Sequence, residues 1–157
     1  MALPVLFCFE QDFVDSLRCV PMAVRFKLDL AGVKLSLRQW SRFTIADRTQ
    51  MLISPCDTPA DIRLYRANLI DRIALRTGEK AKDIPVEAAP PWADKARVPD
   101  MLQAHAISAD LAAPTLKQWG TLTDLQRFAL LKLCREGHDN VNFEPALAEF
   151  GLLLLAA

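Results

Sequence analysis

The sequence predicts an all-α protein: a compact helical bundle built from two pseudo-repeated helix–corner–helix units joined by a proline-rich extended connector. Three observations predict it. Ala, Leu and Arg dominate and only five of 157 residues are glycine, a composition that favours helix. Ser36–Leu52 aligns without a gap with Thr115–Leu131 at an offset of 79, with six identities that include Trp40 opposite Trp119 in a chain of three tryptophans. Self-similarity of this kind is read as duplication. Finally, both copies carry the same spacing of helix-capping residues.

Each element follows in order. Pro21 suits a first helical position and Gly32 a stop. Ser36 with Gln39, then Thr44 with Asp47, have the spacing of capping boxes; Thr115 with Gln118 and Thr123 with Gln126 repeat it. Two boxes eight residues apart predict a short helix, a sharp corner and a second helix. Trp40 and Trp119 fall in the short helices on the side of Leu37 and Leu116, and plug the corners. Met51, Leu52, Leu130 and Leu131 continue the apolar face of the longer helices. Thr58-Pro59-Ala60-Asp61 opens a helix running to about Thr77 and closed by Gly78. Pro99 opens its counterpart in the second half, and Asn142 to about Leu155 reads as the final helix. Its apolar tail falls far short of the ~20 residues of a membrane span and is read as the end of a buried helix. Prolines at Pro85, Pro90 and Pro91 exclude helix from the connector, which Trp92 pins to the body. Only Val5–Phe9 looks like a strand. The chain is read as one domain, 1–157, with repeat 1 at about 16–78, the connector at 79–98 and repeat 2 at about 99–155.

Nineteen basic and nineteen acidic residues cancel, which argues against nucleic-acid binding, where a basic excess displaces counterions. Residues 1–78 nevertheless carry net +3 and residues 79–157 net −3. Either the halves complement each other, or the first presents a surface to an anion or acidic partner. The N-terminal run lacks the basic start of a secretion signal, so a cytoplasmic chain with reduced cysteines is expected. No phosphate-binding, dinucleotide-binding, nucleophile-elbow or zinc-protease motif occurs, which points away from an enzyme.

Candidate site residues are few. His138 and Cys134 lie in a polar turn and could share a metal with Cys19 or Cys56; alternatively His138, Asp139 and Asn140 cap helix ends and the cysteines are buried small hydrophobes. His105 is read as a surface or packed side chain. Arg48 and Arg127, paired by the repeat, either bind carboxylates inside the protein or line an anion groove. Arg18, Arg25, Lys27, Lys34, Arg38 and Arg42 would extend that groove.

Several strings resemble the nitrate reductase-associated protein family: Phe9-Glu10, Ser16–Met22, Arg25–Asp29, Pro55-Cys56, Tyr65-Arg66, Gln126–Leu133, Gly137–Asn140, Asn142-Phe143 and Pro145–Leu147. The resemblance spans about Phe7 to Leu152. Asp139 stands where relatives are expected to have Glu, and Cys134 where a small polar residue is expected. Cys19, Cys56 and His138, with Asp139, are therefore the better metal or functional candidates. Arg18, Arg25, Arg48, Arg127, Asn140 and Asn142 are the anion or partner candidates. The resemblance implies a process rather than a reaction: family members look like factors needed for active nitrate reductase, encoded beside its genes and those of the molybdenum cofactor. It implies nitrate reductase as the partner, and an accessory or maturation factor that helps insert the molybdenum cofactor or an iron–sulfur cluster. The alternative is a protein that itself carries a metal or the molybdenum cofactor, on Cys19, Cys56 and His138 or on the arginines.

Overall fold

The computed structural model describes residues 6–11, 19–135 and 139–153, with only the backbone of 139 and 140. Among these residues eight α-helices and one two-stranded ladder carry the fold. The chain divides into two compact units, the first holding Leu6 and Glu10–Glu87, the second Phe7–Phe9 and the residues from Ala88 onward.

The first unit opens with α1 (Met22–Ala31), for which Pro21 is the N-cap. Proline offers no capping side chain, and the buried carboxylate of Glu10 accepts the Met22 N–H at 2.9 Å instead. A negative group at that end also complements the helix dipole. Gly32 ends α1 in the left-handed conformation, with φ 70°. Short strands β1 (Val33–Lys34) and β2 (Lys82–Asp83) then pair antiparallel, Val33 opposite Asp83.

Helices α2 (Leu37–Arg42) and α3 (Ile45–Ile53) form the expected corner. Both capping boxes close, Ser36 with Gln39 and Thr44 with Asp47. The long α4 (Pro59–Thr77) starts on the Thr58–Asp61 box and ends at Gly78. Trp40, Met51, Tyr65, Leu69 and Ile73 are all at most 1% exposed and lie in this unit's core with Val24 and Leu28.

In the second unit α5 (Asp100–Ser108) follows its N-cap Pro99. The corner recurs as α6 (Leu116–Thr121) and α7 (Asp124–Arg135). The Thr115–Gln118 and Thr123–Gln126 boxes close as in the first unit. A 3-10 turn at Asp139–Asn142 leads into α8 (Phe143–Glu149). Leu102, Trp119, Phe128, Leu130, Leu133 and Leu147 are buried here. Phe7 stacks on Phe9 with ring centroids 5.3 Å apart, and both meet the edge of Phe150.

Four sequence expectations are corrected. The final helix does not run to about Leu155. It stops at Glu149, because Gly151 takes φ 73° and the Leu152 N–H turns back to the Leu147 carbonyl. Residues 154 and 155 lie outside the described residues. Val5–Phe9 is not a strand where it is described, since Cys8–Glu10 forms a 3-10 turn. Leu37 and Leu116 do not share the buried side of the tryptophans and are 52% and 53% exposed. The 79–98 segment is not simply extended: β2 joins it to the first unit, and a 3-10 turn at Pro91–Ala93 forms in the second. Proline is acceptable in such a first turn, where its missing N–H has no partner to lose.

Candidate functional site

The aligned corners use one local device. Arg48 lies one turn into α3, and its Nε donates to the Trp40 carbonyl at 3.1 Å while Nη2 reaches the Ser41 carbonyl. Its guanidinium carbon sits 5.6 Å from the Trp40 ring centroid. Burial alone shifts its ionisation downward. Arg127 does the same in α7, 5.9 Å from the Trp119 ring centroid, but is fully buried. It donates to the carbonyls of Trp92 at 2.7 Å, of Trp119 and of Leu122, and pairs with Asp124. The last carbonyls of a short helix have no partner within it, and an arginine one turn into the next helix supplies donors.

The sequence leaves two readings open for Arg48 and Arg127, internal carboxylate partners or an anion groove. Both donate to backbone carbonyls, and Asp124 is the one carboxylate either of them holds among the described residues. Several cations meant to extend the groove are engaged internally as well. Arg25 donates to the Val20 carbonyl, Arg38 pairs with Glu79, and Lys27 Nζ holds the carbonyls of Leu52 and Ser54 at 2.6 Å each. Arg18 lies outside the described residues.

The Lys27 site brings in one of the sequence candidates. Its ammonium sits 5.8 Å from the Tyr65 ring centroid, and the Tyr65 hydroxyl donates to the Met51 carbonyl at 2.9 Å. Together they satisfy the C-terminal end of α3. Burial lowers the Lys27 ionisation, with the neighbouring Cys56 and Asp57 opposing it. Burial also raises the Tyr65 hydroxyl and pushes the Cys56 thiol up to about 11, against the pull of Lys27. Cys134 is pushed up to about 12 by burial. Both therefore stay protonated near neutrality. Cys19 is half-buried and Cys8 exposed. Among the described residues no three His, Cys, Asp or Glu side chains gather at ligating distance. His138, and the side chains of Asp139 and Asn140, lie outside the described residues. Asn142 is half-buried at the N-cap of α8, where its side chain makes no capping bond.

One carboxylate does more than close its capping box. Asp47 is 1% exposed and takes an ion pair from Arg72 and another from Arg76 at 2.7 Å. Burial alone would raise its ionisation. Hydrogen bonds from Arg76 and Thr44, with the charge of Arg72, outweigh that and hold it well below the usual carboxylate range. The i,i+4 spacing of Arg72 and Arg76 on one face of α4 was the available signal.

The second unit carries an open groove of roughly 710 Å³ between the end of α5 and α8. His105, Leu111, Val141, Phe143, Pro145 and Ala148 line it. The His105 ring stands edge-on to Phe143, with centroids 4.5 Å apart. Phe143 is buried while Val141 is 73% exposed. The volume falls in the range of sites that seat a ligand or an anchoring side chain.

Fold and site together define a class: a small helical protein whose arginines and capping carboxylates grip its own backbone, with an apolar groove left open. The chain belongs to the conserved nitrate reductase-associated protein family, whose model matches residues 6–150. No curated protein and no solved structure matches it. No helix among the described residues is long and apolar enough to cross a membrane.

Proposed function

We propose that the protein is a non-enzymatic, cytoplasmic accessory factor for assimilatory nitrate reductase, binding the apo-enzyme and assisting insertion of its molybdenum cofactor or iron–sulfur cluster. The observation that carries this reading is the family match across residues 6–150. The side-chain chemistry agrees with it. The strongest polar groups, Asp47, Arg48 and Arg127, are consumed in holding helix ends and corners. The test is a deletion strain grown with nitrate as nitrogen source. Loss of nitrate reductase activity, with apo-enzyme protein still present, is expected. Full activity in the deletion strain overturns the reading.

A further inference from the structure

The groove between α5 and α8 has a chemistry that names its occupant. Its apolar lining is left uncovered: Val141 is 73% exposed, and Pro145 and Ala148 are exposed on a helix of only seven residues. Buried Phe143 and the edge-on His105 ring form its base. Among the described lining residues its formal charge has one sign: Glu144 is charged at neutral pH, and none of them is lysine or arginine. Exposed Asp110 follows the end of α5 in the left-handed conformation, at φ 57°. The C-terminal end of α5 adds its own negative dipole. Apolar walls with a negative edge fit an apolar side chain carried between cations. A side chain filling a preformed pocket is the usual anchor of a protein interface, and complementary charge at the rim sets register and on-rate.

We infer that this groove docks a segment of the nitrate reductase polypeptide in which a large apolar residue is flanked by lysine or arginine. The inference rests on the accessory-factor reading for the partner's identity; the groove supplies the chemistry. Ala148→Trp fills the groove from an exposed helical position. Glu144→Lys inverts its edge, and Leu116→Ser alters an exposed residue elsewhere. Each full-length variant is first melted to check that it keeps the wild-type Tm, with Glu144→Gln replacing any Glu144→Lys protein that does not.

Binding to purified apo-nitrate reductase is then measured by biolayer interferometry at low and high salt. Ala148→Trp and the Glu144 variant should each weaken binding at least tenfold, with Leu116→Ser unchanged. The Glu144 variant should also flatten the salt dependence. Folded groove variants that bind like wild type overturn the inference. So does a wild-type dimer that Ala148→Trp dissociates, since a second copy then occupies the groove. No wild-type binding alongside loss of activity in the deletion strain overturns the groove and leaves the accessory role. Groove-dependent binding alongside full activity in that strain overturns the role and leaves the groove.

Discussion

The indole N–H of Trp119 donates to the Asp94 carbonyl at 2.8 Å, whereas the indole N–H of Trp40, at the aligned position of the other unit, is buried with no partner among the described residues. The two rings are otherwise placed alike, each buried, each under an arginine and each closing a corner with two capping boxes.

Trp→Phe substitution should expose that difference. Both variants lose ring volume and leave a comparable void. Trp119→Phe also loses the bond to the Asp94 carbonyl, while Trp40→Phe removes a buried N–H that has no partner among the described residues. Trp119→Phe should therefore be the more destabilising by about 0.5–1.5 kcal/mol, the net worth of a hydrogen bond whose acceptor water can still reach. Urea unfolding of the two variants measures it. Equal losses would mean that the Trp119–Asp94 bond contributes nothing.

Asp47 predicts an acid response with a definite sign. Its ionisation is held below the usual carboxylate range in the folded chain. Its contribution is therefore complete above the unfolded-state value of about 4 and is lost as pH falls through the lower folded-state value. Asp47→Asn keeps the shape and removes the charge that Arg72 and Arg76 hold. At pH 7 it should cost about 1.5–3 kcal/mol, the range for hydrogen bonds to a charged group. Denaturant midpoints of wild type and variant should converge as pH drops below about 4. A constant gap down to the acid limit would assign the loss to packing instead.

The parts of this fold that were legible in the sequence are the local ones. A capping box joins a residue to its third neighbour, so Ser36–Gln39, Thr44–Asp47, Thr58–Asp61 and their counterparts could be read from spacing, and they fixed the helix starts. Contacts between distant residues left no such trace. The β1–β2 ladder joins Val33 to Asp83 over two residues a strand, too short for an alternating pattern. Glu10 caps α1 from twelve positions away, and Asp47 meets arginines 25 and 29 positions on. The final helix ends at Glu149 ahead of the left-handed Gly151, a stop that the surrounding leucine content hides in the sequence. Of the candidate site, the arginine pair was visible through the repeat. That their partners are mostly carbonyls was not, because a backbone acceptor has no sequence signature.

Gly32 and Gly78 separate two costs of replacing a glycine. Both end helices in the left-handed region, at φ 70° and 72°. A Cβ at Gly78 meets nothing within 4 Å, whereas one at Gly32 comes within 2.8 Å of Val86 Cγ2 and 3.0 Å of the Ile84 carbonyl. Gly78→Ala should cost the backbone penalty alone, about 1–2 kcal/mol. Gly32→Ala should cost more, because Ile84 donates its N–H to the Gly32 carbonyl at 2.9 Å and cannot withdraw without breaking the bond that follows the ladder. Thermal melts of the two single variants measure the difference. A smaller loss at Gly32 would show that Val86 and Ile84 yield freely.

The cysteines should label in an order set by burial. Cys8 is exposed, whereas the Cys56 and Cys134 thiols are pushed up to about 11 and about 12. Because the thiolate is the nucleophile, at pH 7.5 only about one Cys56 in several thousand is in the reactive form, and fewer of Cys134. Iodoacetamide at that pH should modify Cys8 first and leave Cys56 and Cys134 until denaturant is added, as mapped by peptide mass spectrometry. Lys27 gives an internal control. Its ammonium lowers the Cys56 value against the larger effect of burial, so Lys27→Met should slow Cys56 further under conditions where the chain stays folded. Faster labelling of Cys56 in that variant would mean that losing the Leu52 and Ser54 contacts opens the end of α3, and that Lys27 guards the thiol mainly by holding that end shut.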